Sequence, residues 1–377
     1  MSRPVAHYFG AGPALLPTDV LEQAAKDLVN YQSIGIGAGE ISHRSAQGVE
    51  IIDKTKENLT KLLNIPDTHE VFFLQGGGTG GFSNVATNLG AAYLKKTGKV
   101  GKPGYVITGS WSKKAYEEAE RLGLNPVIIS QSKATIAPVS EWDLTRNEEL
   151  SYVYHCENET VDGVEFNEFP FEKFPNVEVV TDMSSNFLSK KIDVSKYGLI
   201  FAGAQKNVGI AGVSIYIIKK SLLEQASPAE LLAASLPVTP IAFDYPTVVK
   251  NNSAYNTIPT FVVLIVKLVL ERLVANGGLS VQEESNKLKA EALYAVLDKY
   301  EIFKLPVDKK DRSKMNVVFT LDGDLDGEFI KGATEKGLTG LKGHRSVGGM
   351  RASLYNAVSL ESVELLVQYC EDFAKAH

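Results

Sequence analysis

The chain is short of cysteine, of arginine and of long apolar runs, and each shortage removes a class of protein. Cys156 and Cys370 are its two cysteines and stand far apart. They fit neither a disulfide framework nor a zinc ribbon, so no metal is expected and both thiols are read as inert. The longest apolar segment, "FVVLIVKLVL", is broken by Lys267 and too short to span a bilayer. "MSRPVAHYFGAGP" at the N-terminus lacks the continuous apolar stretch of a signal peptide. These features predict a soluble, cytoplasmic protein with no membrane partner. Basic charge is not in excess either. The net charge of −6 argues against a nucleic-acid binder, which needs a basic face to displace counterions.

What is present is alternation. "EVFFLQ", "GYVIT", "PVIIS", "SYVYH", "VEVVTD" and "GLIFAGA" read as strands, separated by amphipathic stretches such as "SAQGVEIIDKTKENLTKLLN" and "WSKKAYEEAERLG". That order predicts an α/β fold with a mainly parallel sheet and helices on both faces. A long helix is expected from Pro259 past Glu271, and another over "NKLKAEALYAVLDKYE". "NVVFTL", a helix near "GEFIKGATEKG" and a last helix from about Ser359 then make up a smaller α+β domain. A length of 377 residues is too great for one ordinary core. The expected division is a large domain over 18–270 and a small one over 1–17 plus 271–377. Internal repeats and low-complexity segments are absent from the sequence.

Chemistry concentrates at a few points. The strand "VFFLQ" runs into "GGGTGGF" and a helix-like segment, a pattern that lets backbone N–H groups approach a phosphate at a helix N-terminus. Residues 76–81 satisfy G-x-G-x-x-G, yet Val71 to Tyr116 contains no Asp or Glu to hold a ribose, and no G-K-[ST] ending follows. A dinucleotide-binding oxidoreductase is thereby disfavoured. A cup for a single phosphate remains, or else a tight turn with no ligand. In "YGLIFAGAQKNVGIAGVSIYII" the single charged residue is Lys206. It is either a surface lysine or a partly desolvated one, and desolvation makes the neutral, Schiff-base-forming amine accessible. Asp182 ends "VEVVTD" and is either a local cap or the acid that holds a protonated pyridine nitrogen. Trp111 could stack on a flat cofactor, and Thr160 could bond a phenolic oxygen, though either would be unremarkable alone. Taken in order, phosphate cup, acid and lysine describe a pyridoxal phosphate (PLP) site.

With these residues in place the chain resembles the phosphoserine aminotransferase family of fold-type I PLP-dependent transferases. The resemblance is carried by "FGAGPALLP", "SHRS", "QGGGTGGF", "ENETVDGVEF", "TDMSSNFLS", "GLIFAGAQKNVGIAG", "YNTIPTF" and "KGHRSVGGMRASLYNA", which span nearly the whole chain. It implies that Lys206 forms the Schiff base with PLP and shuttles the Cα proton, that Asp182 holds the pyridine nitrogen and that Trp111 stacks on the ring. Thr160 would sit near the phenolate oxygen, and Gly78, Thr79 and Gln205 would hold the cofactor phosphate. It also implies a homodimer with shared sites, Asn256 and Thr257 reaching the neighbouring subunit's phosphate.

The arginines fall into place within that resemblance. Only eight occur, and two of them lie in "GHRSVGGMR" (343–351), while "ISHRS" (41–45) repeats a His-Arg pair. Guanidinium meets carboxylate or phosphate with paired bonds that lysine does not reproduce. The implied reaction interconverts O-phospho-L-serine and 2-oxoglutarate with 3-phosphohydroxypyruvate and glutamate, in L-serine biosynthesis. Arg351 would bind the α-carboxylate. His344 and Arg345, with His43 and Arg44 supplied across the dimer, would take the phosphate or distal carboxylate. Thr79 is a departure, because some bacterial members carry arginine there. Competing readings are an alanine–glyoxylate-type aminotransferase, which would not need two His-Arg pairs, and a cysteine desulfurase, for which neither cysteine is suitably placed. A catalytically dead binding protein would not be expected to keep Lys206 and Asp182.

Overall fold

The computed structural model describes residues 4–377, and residues 1–3 of the expected small-domain segment 1–17 lie outside the described residues. The chain opens with β1 (His7–Tyr8), α1 (Thr18–Val29) and α2 (Ala46–Leu63). Ser45 caps α2, its hydroxyl accepting the Gly48 amide, so one member of the "SHRS" motif is a helix start.

The main sheet follows, built from β2 (His69–Leu74), β3 (Lys102–Ile107), β4 (Val127–Gln131), β5 (Leu150–Cys156), β6 (Val179–Asp182), β7 (Leu199–Gly203) and β8 (Ser214–Lys219). The six runs read as strands from sequence are all here. Their order across the sheet is β2-β8-β7-β6-β5-β3-β4, and β8 alone runs antiparallel to its two neighbours. Every residue of β5 and β7 is buried, the state of strands covered on both faces. On one face α3 (Gly77–Thr97) and α4 (Ser110–Arg121) cover Phe72, Tyr105, Tyr154 and Phe201. On the other, α2 and α7 (Thr260–Ala275) bury Ile51, Leu59, Val153, Ile200 and Leu264. Two short helices, α5 (Pro228–Ala233) and α6 (Tyr245–Lys250), lie between β8 and α7.

A second core forms from the C-terminal part and the N-terminal segment. α8 (Gly278–Lys299) begins a turn or more before the expected "NKLKAEALYAVLDKYE", at the second of two glycines with positive φ, Gly277 and Gly278. β9 (Phe303–Lys304), β10 (Asn316–Leu321) and β12 (Met350–Ser353) make an antiparallel three-stranded sheet, with α9 (Asp326–Glu335) and α10 (Leu360–Ala376) packed against it. Phe9 joins Leu293, Phe319, Phe329, Leu366 and Phe373 in this core, and β11 (Leu338–Thr339) pairs with β1. Among the described residues no helix is long and apolar enough to cross a membrane.

Candidate active site

The carboxyl ends of β3, β5, β6 and β7 meet where the strand order changes direction, between β3 and β5, the position at which open α/β sheets bind ligands. A cavity of about 650 Å³ opens there. Gly78, Thr79, Trp111, Thr160, Asp182, Gln205, Lys206, His344 and Arg351 all line it. Residues far apart in sequence thus converge because successive strands deliver their following loops to one edge.

The glycine-rich turn is built for close approach. Gly76 and Gly77 both have positive φ, and α3 starts directly after Gly76, so its free N–H groups and positive dipole end face the cavity without an acid in the first turn. Opposite, Lys206 follows β7 and is 9 % exposed. Burial lowers its ammonium below the ordinary lysine value, against the pull of Asp182. Its Nζ donates to Thr160 Oγ1 at 2.7 Å and stands 5.9 Å from the centre of the Trp111 ring. Asp182 is buried and accepts the Ser184 amide at 2.8 Å, and burial raises its carboxyl above the usual range. Gly12 of the "FGAGP" motif lies beside the Lys206 stem with a φ of +127°, a backbone conformation that favours glycine.

Arg351, on β12, is half-buried and donates Nη1–H to the Thr160 carbonyl at 3.2 Å, while its Nε has no partner among the described residues. The Trp111 indole N–H is likewise buried and unpaired. These unsatisfied donors flank the space in front of Lys206, and buried polar groups without partners are uncommon in a completed site. With a helix N-terminus for a phosphate, a buried acid for a ring nitrogen, an indole for a flat ring and a lysine of lowered pKa, the residues present fit pyridoxal phosphate.

Other expected residues stay outside the cavity of the single chain. Arg345 is exposed on the 343–349 loop, where His344 bonds Ser346 at 2.6 Å. Arg44 is exposed and donates to the Tyr255 carbonyl at 3.3 Å, and His43 is buried with an Nε2 that has no partner among the described residues. Asn256 bonds Gln75 of its own chain at 2.9 Å, and both Asn256 and Thr257 are exposed.

Sequence reasoning missed Glu159 and Asp162. Glu159 is fully buried, and burial pushes its carboxyl up to about 7 against the donors that favour its charge. Both acids stand in "ENETVDG", but a carboxylate that caps a helix from another loop leaves no periodic trace. Asn158, Ser184 and Ser185 also line the cavity, beside Cys156, whose buried thiol is pushed well above its ordinary value and is therefore unreactive.

Residues 6–366 match the family model of class-V aminotransferases. The phosphoserine aminotransferase of Saccharomyces cerevisiae is 54% identical, over 100% of this chain and 99% of that protein. The solved phosphoserine aminotransferase of Bacillus circulans subsp. alkalophilus superposes with a TM-score of 0.90 at 37% identity, covering 99% of both chains. A PLP-bound phosphoserine aminotransferase from Trichomonas vaginalis gives a TM-score of 0.88 at 36% identity, over 97% of this chain and 100% of that one. A buried lysine, a buried acid and a glycine-rich helix start on one cavity, in a chain alike to these from end to end, leave one conclusion: the chain belongs to the class-V aminotransferases, among the phosphoserine aminotransferases.

Proposed function

We propose that the protein is a PLP-dependent transaminase that interconverts O-phospho-L-serine plus 2-oxoglutarate with 3-phosphohydroxypyruvate plus L-glutamate, alternating between two half-reactions in L-serine biosynthesis. The reading places it in the cytoplasm as a homodimer with shared sites. The observation that carries it is the convergence of Lys206, Asp182, Trp111 and Arg351 on one cavity under the N-terminus of α3.

When bound, PLP supplies the electron sink for the pair left at the substrate Cα once its proton departs. Lys206 would anchor the cofactor and then move that proton, a task suited to an amine whose burial leaves the neutral form accessible. Asp182 would keep the ring nitrogen protonated, Trp111 would lie against the ring and Thr160 would bond the phenolic oxygen. Gly78, Thr79 and Gln205 would hold the phosphate, joined by Asn256 and Thr257 of the neighbouring subunit. Arg351 would orient the α-carboxylate that all the substrates share. His344 and Arg345, with His43 and Arg44 of the neighbouring subunit, would hold the far anion. The domain division at 18–270 against 1–17 plus 271–377 belongs to the same reading, supported by Phe9 packing among residues 290–373.

A half-reaction tests this. O-phospho-L-serine is added to purified, PLP-loaded protein with no keto acid present, and the visible absorbance of the bound cofactor is followed. The expected result is loss of that band as the pyridoxamine form appears. A band that ignores phosphoserine would keep the cofactor and reject the substrate. Absence of any band would reject the assignment of Lys206.

A further inference from the structure

Trp111 occupies the first turn of α4, where the first backbone N–H groups of a helix have no partner within the helix. Here they are met by acids from a different part of the chain. Glu159 Oε2 accepts the Trp111 amide at 2.9 Å, and Glu159 Oε1 accepts both the Ser112 amide at 2.8 Å and the Ser112 hydroxyl at 2.6 Å. Asp162 Oδ2 accepts the Ser110 amide at 2.7 Å. Three consecutive amides at the positive end of α4 are therefore held by two carboxylates of one turn. Gly109 completes the fit, since a Cβ there would lie 2.6 Å from Asp162 Oδ2 and 2.7 Å from Glu159 Cδ.

The same turn touches the other reactive groups. Thr160, between the two acids, receives Lys206 on its hydroxyl and Arg351 on its carbonyl. The turn is itself fastened from below: Lys190 bridges Glu157 at 2.9 Å and Glu165 at 3.4 Å, and Glu157 also bonds His155. A rigid segment thus fixes the start of α4, the lysine and the arginine relative to one another.

We propose that Glu159, assisted by Asp162, is a positioning residue that holds the Trp111 ring in register with Lys206 and Arg351. A helix start capped by its own side chain would locate the indole only relative to α4. A cap donated by the turn that carries Thr160 locates it relative to the reacting groups, where small displacements are costly in rate. The inference rests on the cofactor reading above for its consequence in catalysis, but the placement of the ring is testable without cofactor.

The chain has two tryptophans, Trp111 and Trp142, and Trp142 is buried against Phe169 and Phe174, so W142F leaves Trp111 as the reporter. In that background E159Q places an amide NH2 where one of two N–H donors needs an acceptor. In cofactor-free protein the fluorescence anisotropy of Trp111 should decay further than in the parent. In loaded protein its quenching by the cofactor should weaken, and kcat should fall roughly tenfold with KM for phosphoserine little changed. D162N should move the same readouts less. A folded E159Q chain with parental anisotropy and quenching would overturn the proposal, even if it melts earlier, because Glu159 would then serve stability alone. Should E159Q fail to fold, S112A removes the hydroxyl donor to Oε1 together with the acceptor of the Thr108 and Gly109 amides, and unchanged anisotropy in S112A would overturn it equally. A parent that binds no cofactor would instead sink the cofactor reading while leaving the anisotropy test intact.

Discussion

Lys206 and Lys289 are both withdrawn from water, and in both burial lowers the ammonium below its ordinary value, to about 7 for Lys289. Their surroundings differ in kind. Lys206 has one hydroxyl partner, a nearby buried acid and a cavity in front of it. Lys289, on α8, lines neither that cavity nor the polar crevice beside α1, and donates to the carbonyls of Leu354, Tyr355 and Val358 at 2.9–3.0 Å. Burial alone therefore does not mark a reactive lysine. The role proposed for Lys206 rests on the cavity it lines and on the nearby acid, whereas a buried amine ringed by carbonyls is a clamp on the loop that follows β12.

The largest effect should separate the two by activity. K206A is expected to lower turnover by more than about 10⁴-fold with the fold retained, since both covalent attachment and proton transfer vanish. Steady-state rates beside a circular dichroism spectrum check it, and a normal rate would remove Lys206 from the mechanism. K289M should do the converse: three buried carbonyls lose their donor, at a cost of about 2–4 kcal/mol in urea unfolding. Its pH dependence has a definite sign. The folded ammonium titrates near 7 and the ordinary one near 10.5, so between these values the unfolded chain binds more protons. Stability from this group is present at high pH and is lost as pH falls through about 7. The K289M chain should lack that rise between pH 7 and 10.

The contrast also explains what could be read beforehand. Lys206 was legible because it interrupts an apolar strand-turn-strand run, and the six parallel strands because burial, on both faces for inner strands such as β5 and β7, enriches them in β-branched and aromatic residues. Lys289 was not, because a lysine in "NKLKAEALY" looks like the solvated side of an amphipathic helix, and only the folded loop over it supplies the carbonyls. The antiparallel direction of β8 was equally hidden, since strand composition carries no polarity. Glu159 and Asp162 act across a gap of about fifty residues and announce themselves only once α4 and the 157–163 turn meet.

Smaller effects should divide the arginines. Arg351 lies in the cavity and Arg345 outside it on an exposed loop. Loss of charge-assisted bonds is worth roughly 1.5–3 kcal/mol, so R351A should reduce kcat/KM by about 10- to 100-fold for every amino-acid substrate. R345A should reduce it for phosphoserine and far less for an uncharged amino acid. Equal losses for both substrates on removing Arg345 would contradict a role at the far anion.

The finest test concerns Arg44, exposed in the single chain and bonded to Tyr255 rather than to any cavity residue. If it serves a neighbour's site, two defective chains should repair one another. A K206A chain has no working site of its own but still carries Arg44, whereas an R44A chain keeps Lys206 and lacks the arginine it would donate. Random pairing makes half of the dimers mixed, each with one complete site, so about a quarter of all sites should recover parental kcat/KM for phosphoserine. Activity of the mixture above that of the R44A homodimer, appearing only after subunit exchange, is the expected outcome. Strict additivity of the two parents would place Arg44 in its own subunit's site or in none, because a residue acting within one chain gains nothing from a new partner.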